Sequence, residues 1–170
     1  MAQALGIPAV LLTGLLLGGC SGEPRPADPD ALAELGRVYL AGEPGKAREM
    51  FELAAQRGSG AGLFYLGLLA YEGREAAPDI KEACGLFAQS AARNHPGGLR
   101  EYGECQLRGA GGVAKDASAA AGSFSKSIAS GGVQAYESLA RLYAAGEGVP
   151  RDPAEAARLR QKRDLLREKR

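Results

Sequence analysis

The 170-residue sequence predicts an all-α fold, an α-α superhelix in which about four helical hairpins lean on one another in a row. Three observations predict it. Residues 135–159 read as a complete helix–turn–helix, with Ala135, Leu139, Leu142 and Tyr143 at helical spacing on one face. A helix-stopping glycine recurs at Gly42, Gly73, Gly109 and Gly146, in steps of 31, 36 and 37 residues. Behind it recur an alanine (Ala47, Ala83, Ala120, Ala156) and an aromatic (Phe51, Phe87, Phe124). A two-helix unit of this size cannot bury its own apolar face, so the copies must stack.

Each copy can be read in turn. Copy one, residues 30–59, has Leu35, Gly36 and Val38 on its first helix and Ala47, Arg48 and Phe51 on its second, which ends at Gly58. It departs most from the others: five residues are missing between Gly42 and Ala47, and no aspartate is left to cap the second helix. Copy two, residues 60–95, places Leu66, Gly67 and Leu69 before Gly73. Asp79 then caps a helix carrying Ala83, Cys84 and Phe87. Asn94 ends it, asparagine being the next-best residue after glycine for a left-handed cap. Copy three, residues 96–131, repeats the pattern with Tyr102, Gly103, Cys105, Gly109, Asp116, Ala120, Ala121, Phe124 and Gly131. Copy four, residues 132–157, has Ala140 in the glycine column. Its second helix is capped by Asp152 with Pro153 at the first position, and is expected to turn Ala156, Ala157 and Leu159 inward. Arg160 stands where the other copies have phenylalanine. The repeat domain therefore covers residues 30–157, and 158–170 form the basic end of the capping helix.

The stretches LGRVYLAG, YLGLLAYEG and LARLYAAGEGVPRDPAEAARL resemble the Sel-1-like repeat, a relative of the tetratricopeptide repeat about 36 residues long. The resemblance covers residues 30–160 or so and is strongest in the last copy. It implies a right-handed solenoid. It also implies a non-enzymatic adaptor that holds other proteins, an inference by analogy of fold.

Residues 1–19 include the apolar run Val10–Leu17, too short to span a bilayer. The run ends Leu17-Gly18-Gly19-Cys20, which resembles a bacterial lipoprotein signal. That resemblance implies removal of residues 1–19 and lipid on Cys20. The alternative is an ordinary secretory signal, and no Lys or Arg precedes the apolar run. Ser21 resembles outer-membrane sorting. Residues 20–29 then form a lipidated cysteine and a Pro-rich tether, with few contacts of its own. The expected location is the bacterial envelope, lipid-anchored at the outer membrane and facing the periplasm.

Export would place Cys84 and Cys105 in an oxidising compartment. They stand on adjacent antiparallel helices, about equidistant from the turn at Asn94–His95. One reading is a bridge closing a loop of about 20 residues, contributing on the order of 3 kcal/mol. The other is a pair of buried thiols packed as small apolar groups. The resemblance favours the bridge, since related exported repeat proteins staple helices in this way.

Ser123 and Lys126 match Ser-x-x-Lys, the acylating pair of penicillin-recognising enzymes, but no Ser-Asp-Asn or Lys-Thr-Gly follows. They are better read as a solvated helix surface, leaving no catalytic residue. His95, the single histidine, has no cysteine at ligand spacing and reads as a loop residue; no metal and no cofactor is expected. Gly58-Ser59-Gly60-Ala61-Gly62 reads as a turn between helices, not a phosphate loop. The tail 158–170 carries seven basic and two acidic residues, read as a polar cap on the open end of the stack or as a strip for an anionic partner.

With 21 basic and 20 acidic residues the chain has no field suited to nucleic acid. The first helices are expected to line the inner curve, presenting Arg37, Arg100, Glu101, Glu104, Glu137, Ser138 and Arg141 to a protein or peptide of the envelope. The expected function is a monomeric interaction scaffold. The alternatives are a protein active on cell-wall material, or a structural spacer.

Overall fold

The computed structural model describes residues 28–74 and 76–169. Every element among them is α-helical: α1 (Pro29–Tyr39), α2 (Pro44–Gln56), α3 (Gly60–Glu72), α4 (Ile80–Ala92), α5 (Pro96–Arg108), α6 (Ala117–Ala129), α7 (Ala135–Ala145) and α8 (Pro153–Glu168). Each helix packs on the next in sequence. In addition α1 touches α3 and α3 touches α5, whereas no two even-numbered helices pack comparably. α1, α3 and α5 therefore crowd along the inner side of the stack, α7 is tied to α5 by hydrogen bonds from Ser138 and Arg141 to Glu104, and the even-numbered helices spread along the outside. The apolar side chains fall into three clusters, strung along the stack at its successive junctions instead of around one hub. The expected signal, residues 1–19, the expected lipidation site Cys20 and most of the expected tether lie outside the described residues.

The caps follow the chemistry of the sequence. Gly73, Gly109 and Gly146 hold left-handed backbone at the ends of α3, α5 and α7, with φ of 66°, 67° and 74°. Asn94 does the same after α4, with φ 58°. Asp79, Asp116 and Asp152 each accept the backbone N–H three residues on, at 2.9 Å.

Inside each hairpin one contact recurs. A Cβ placed on Gly36 would stand 2.5 Å from the Phe51 ring. On Gly67 it would stand 2.6 Å from Phe87, and on Gly103 2.7 Å from Phe124. All three rings are buried, and the missing side chain is what lets each lie against the facing helix. In copy four Arg160 replaces the ring, and Ala140 fits where glycine was needed. A second tie joins the same hairpins at their far ends. Ser90 and Ser127, both fully buried, donate to the Gly60 and Pro96 carbonyl oxygens at 2.7 Å.

Four expectations fail at the ends of the stack, and all have local causes. Gly42 is not the stop of α1. The helix ends at Tyr39 with Leu40 as a right-handed cap, and the shortened connection turns through hydrogen bonds from Gly42 and Glu43 to the Tyr39 carbonyl. Leu35 and Val38 are 42% and 75% exposed, although Leu66 and Leu69 in the same columns are buried. Those columns pack on the preceding copy, and copy one has none among the described residues. Ala157 is exposed for the opposite reason: its equivalents Cys84 and Ala121 are buried, but among the described residues no later copy covers α8.

The disulfide Cys84–Cys105 ties α4 to α5, with an S–S distance of 2.06 Å and Cα atoms 6.1 Å apart. It is a bond between copies two and three, where each neighbour supports the other.

Two measurements test this packing. Gly67→Ala should lower stability by about 2 kcal/mol in urea unfolding, because the ring cannot retreat. Gly85→Ala, in α4 with open space around it, should raise stability by about 0.5–1 kcal/mol. Equal effects of the two would contradict the packing. Cys84→Ala/Cys105→Ala, or added reductant, should lower stability by about 3 kcal/mol. An unchanged urea midpoint under reductant would show that the bridge contributes nothing.

Candidate functional site

The inner side of the stack is built from one register of the odd-numbered helices. Directly after the column of Gly36, Gly67, Gly103 and Ala140, the residues Arg37, Leu68, Glu104 and Arg141 occupy equivalent sites. One turn earlier stand Glu34, Tyr65, Glu101 and Ser138. These two rows form a strip across all four copies. Arg37 pairs with Glu34 at 2.6 Å and lies 5.8 Å from the centre of the Tyr65 ring.

Glu104 is the centre of the strip in the later copies. Its carboxylate accepts from Ser138 at 2.9 Å, from Arg141 at 2.8 Å and from Arg108 at 3.4 Å. Its side chain is only 13% exposed, so Glu104 holds α7 against α5 as much as it faces solvent. Glu101 pairs with its neighbour Arg100. Burial pushes the Glu101 carboxyl above its ordinary pKa, and the Arg100 guanidinium partly offsets this.

The seven sequence-predicted residues thus divide. Arg37, Glu101, Glu104 and Arg141 lie on the strip, and Arg100 borders it through Glu101. Ser138 is there but buried, its hydroxyl engaged by Glu104. Glu137 turns the other way: it pairs with Arg160 at 3.3 Å and with Arg163, both on α8. It ties the two helices of the last hairpin together at their half-exposed edge, through Arg160, the residue that stands in the phenylalanine column.

Sequence reasoning missed the apolar part of the strip. Between copies two and three lies a cavity of about 280 Å³. Leu68, Ile80 and Phe87 line it, Tyr71 stands at its mouth, and the disulfide crosses its floor. The signal was available: Leu68 stands in the column of Arg37, Glu104 and Arg141, the one apolar residue in an otherwise charged row.

Ser123 and Lys126 are elsewhere, on the outer side, beside a shallow groove between α4 and α6. The Ser123 hydroxyl is hydrogen-bonded to Gln106 Oε1 at 2.7 Å, so the serine is engaged by α5 and not by the lysine. Much of the basic tail is used internally. Arg158 pairs with Glu155, Arg160 and Arg163 with Glu137, and the Lys162 ammonium lies 5.8 Å from the centre of the Tyr136 ring. Among the described residues no group of three metal-ligating side chains comes together, and no helix is long and apolar enough to cross a membrane.

His95 is not a bare loop residue. It is the N-cap of α5: its Nδ1 accepts from the Gly98 N–H at 3.2 Å, and its ring packs on Phe64 with centroids 4.9 Å apart. An accepting Nδ1 requires the neutral ring. Burial holds the pKa below its ordinary 6.5, against the opposing pull of Asp30.

The Sel1 repeat family model matches residues 29–59, 60–95, 96–131 and 133–162. The chain belongs to the Sel1 repeat family. Sel1 repeats are generally protein–protein interaction scaffolds, and the fold is typically non-catalytic. No curated protein matches the chain. Among solved structures, the Sel1 repeat protein from Oxalobacter formigenes is similar at 24% identity with a TM-score of 0.72, over 82% of this chain and 57% of that one. The c5321 protein, a protective antigen of uropathogenic Escherichia coli strains with the same kind of fold, is similar at 26% identity and TM-score 0.70. That match covers 81% of this chain and 30% of that one. MamA is similar at 20% identity and TM-score 0.51, over 87% and 83% of the two chains. The chain therefore spans little more than half of the first of these Sel1 relatives and under a third of the second.

The histidine cap generates a test. Because the folded state favours the neutral ring, its contribution is fully present above the ordinary pKa and is lost as pH falls through the lowered one. Thermal midpoints followed from about pH 8 to 5 should fall more for the native protein than for His95→Asn, whose side chain accepts at any pH. Parallel curves would show that the cap does not titrate.

Proposed function

We propose that this Sel1 repeat protein is a cell-envelope lipoprotein, anchored at the outer membrane through Cys20. In this reading it holds a partner protein or peptide on the inner side of its stack. The observation that carries the reading is the strip itself. Four copies place the same two helix positions side by side, and between copies two and three the strip opens into a cavity lined by Leu68, Ile80, Phe87 and the half-exposed Tyr71 together with charged side chains. A surface that repeats at helix spacing suits an extended segment of another protein better than a compact small molecule. The lipid anchor is supported by Leu17-Gly18-Gly19-Cys20, and the Pro-rich residues after it would hold the stack clear of the membrane. The disulfide supports an oxidising compartment, which the periplasm provides.

A photo-reactive amino acid at Tyr71 or Arg37, and separately at Gly85 on the outer helix α4, tests the binding face in living cells. The inner positions should give discrete cross-linked species and Gly85 should not. Cross-links from Gly85 alone, or from none of the three, would overturn the assignment. Mass spectrometry of the mature protein tests the anchor: an acylated amino-terminal Cys20 is expected, and an unmodified Cys20 or an intact Met1 would refute it.

A further inference from the structure

We infer that a second copy of this chain stacks on the first end to end, the α1 face of one molecule lying on the α8 face of the other. The inference goes beyond the scaffold reading and does not depend on it.

The interior junctions show what covers each of these faces. At every junction the first helix of a copy lays the same columns on the second helix of the copy before it. Leu66 and Leu69 of α3 share a buried cluster with Ala47, Phe51 and Ala54 of α2. Leu139 and Leu142 of α7 share another with Ala120, Ala121 and Phe124 of α6. Between α4 and α5 the contact is covalent, with the Cα atoms of Cys84 and Cys105 6.1 Å apart. These contacts are in register. Cys84 and Ala121 occupy one column of the second helices, and Cys105 and Leu142 occupy one column of the first helices.

Both halves of one more such junction stand uncovered among the described residues. Val38 is the α1 residue in the column of Cys105 and Leu142, and at 75% it is the most exposed of the large apolar side chains described. Leu35, one turn earlier in the column of Leu139, is 42% exposed. On α8, Ala157 is exposed in the column of Cys84 and Ala121. A second copy gives each of these residues the partner that its column has elsewhere in the chain, and removes their apolar surface from water.

Departures from the interior pattern set the strength of the contact. Arg163 stands in the column of Ala54, Ser90 and Ser127, where a following helix comes closest. A Cβ on Gly62 would lie 2.8 Å from Ala54, and one on Gly98 2.5 Å from the Ser90 Cβ. Their counterpart on α1 is Ala31, so this half of the junction cannot close to the interior distance. The contact is confined to the C-terminal half of α1 and the N-terminal half of α8. There Glu34 falls opposite Arg160, as Tyr65 falls opposite Phe51. Both are already paired, with Arg37 and Glu137, so their opposite signs avoid repulsion and add little attraction. A small apolar contact of this kind is weak and transient. It joins unlike ends and leaves one of each free, so it propagates into rows and does not close as a dimer.

The test uses the full chain with Cys20→Ser, which leaves no thiol outside the disulfide. Val38→Cys and Ala157→Cys are made separately on it and mixed under a mild oxidant. Because the two positions match Cys105 and Cys84, the mixture should form a disulfide-linked pair well beyond the level of either variant alone. Mass spectrometry of the non-reduced peptides identifies the join. In sedimentation the average mass of the Cys20→Ser chain should rise with concentration past that of a dimer, and Val38→Glu should weaken the association at least about tenfold. Val38 is exposed, so this variant is expected to fold, and circular dichroism checks that it does. Preferential linkage of Val38→Cys to itself would mean a two-fold contact and overturn the end-to-end one. The mass of a single chain up to millimolar concentration, or indifference to Val38→Glu, would overturn it as well. Slow reaction of Val38→Cys with a soluble maleimide at high dilution would show the α1 face covered from within its own chain, with the same consequence. None of these outcomes touches the scaffold reading, which the cross-links from Tyr71 and Arg37 decide.

Discussion

The structure depends on one repeated contact, a phenylalanine ring laid against a glycine of the facing helix. Gly36 with Phe51, Gly67 with Phe87 and Gly103 with Phe124 bring two helices closer than any residue with a side chain would allow. A buried ring contributes strongly to a core, but only if something yields to its width. Here the yielding group is a missing Cβ, and its cost is the helix propensity that glycine gives up. The fourth hairpin shows the rule from the other side. With Arg160 in place of the ring, Ala140 is accommodated, and Glu137 meets the guanidinium at the half-exposed edge of the hairpin.

From that contact the rest of the stack follows. Fixing the hairpin angle lets Phe51 stack on Tyr65 of the next copy, with ring centres 4.9 Å apart, and brings Phe64 to 6.2 Å from Phe87. It also lets α1 touch α3 and α3 touch α5, which makes the odd-numbered helices a continuous inner surface. The hydroxyls of Ser90 and Ser127 close the other end of the second and third hairpins. The surface that this packing creates is of the kind Sel1 repeats generally use as interaction scaffolds, and the chain belongs to that family.

The disulfide and the cavity mark the junction of copies two and three as unlike the others. At the junction of copies three and four, Glu104, Ser138 and Arg141 fill the inner strip with hydrogen bonds. At the junction before it, Leu68 takes the charged position and leaves a hollow, and a covalent bond replaces the polar network. An apolar hollow between adjacent elements is stable only where its walls are held by something other than the missing atoms. The bridge does that here.

Much of this was legible in the chain alone. Glycine, asparagine and aspartate at fixed intervals specify helix ends because each has a local backbone reason to be there, so the hairpins and their count could be read directly. The buried alanine and phenylalanine columns followed from the same interval. What the interval could not reveal is what lies beyond a column. Leu35, Val38 and Ala157 have the right residue types at the right spacing, yet they are exposed, because burial in a stack is supplied by a neighbour and, among the described residues, the first and last copies have one fewer. Glu137 sits beside Ser138 in sequence but faces α8, since adjacent residues on a helix point about a hundred degrees apart. The cap at His95, the hydroxyl of Ser123 turned to Gln106, and the cavity behind Tyr71 all arise from contacts between helices. Local chemistry determined where the helices begin and end. Only their packing decided which side chains meet, because a meeting depends on two elements and a periodicity describes one.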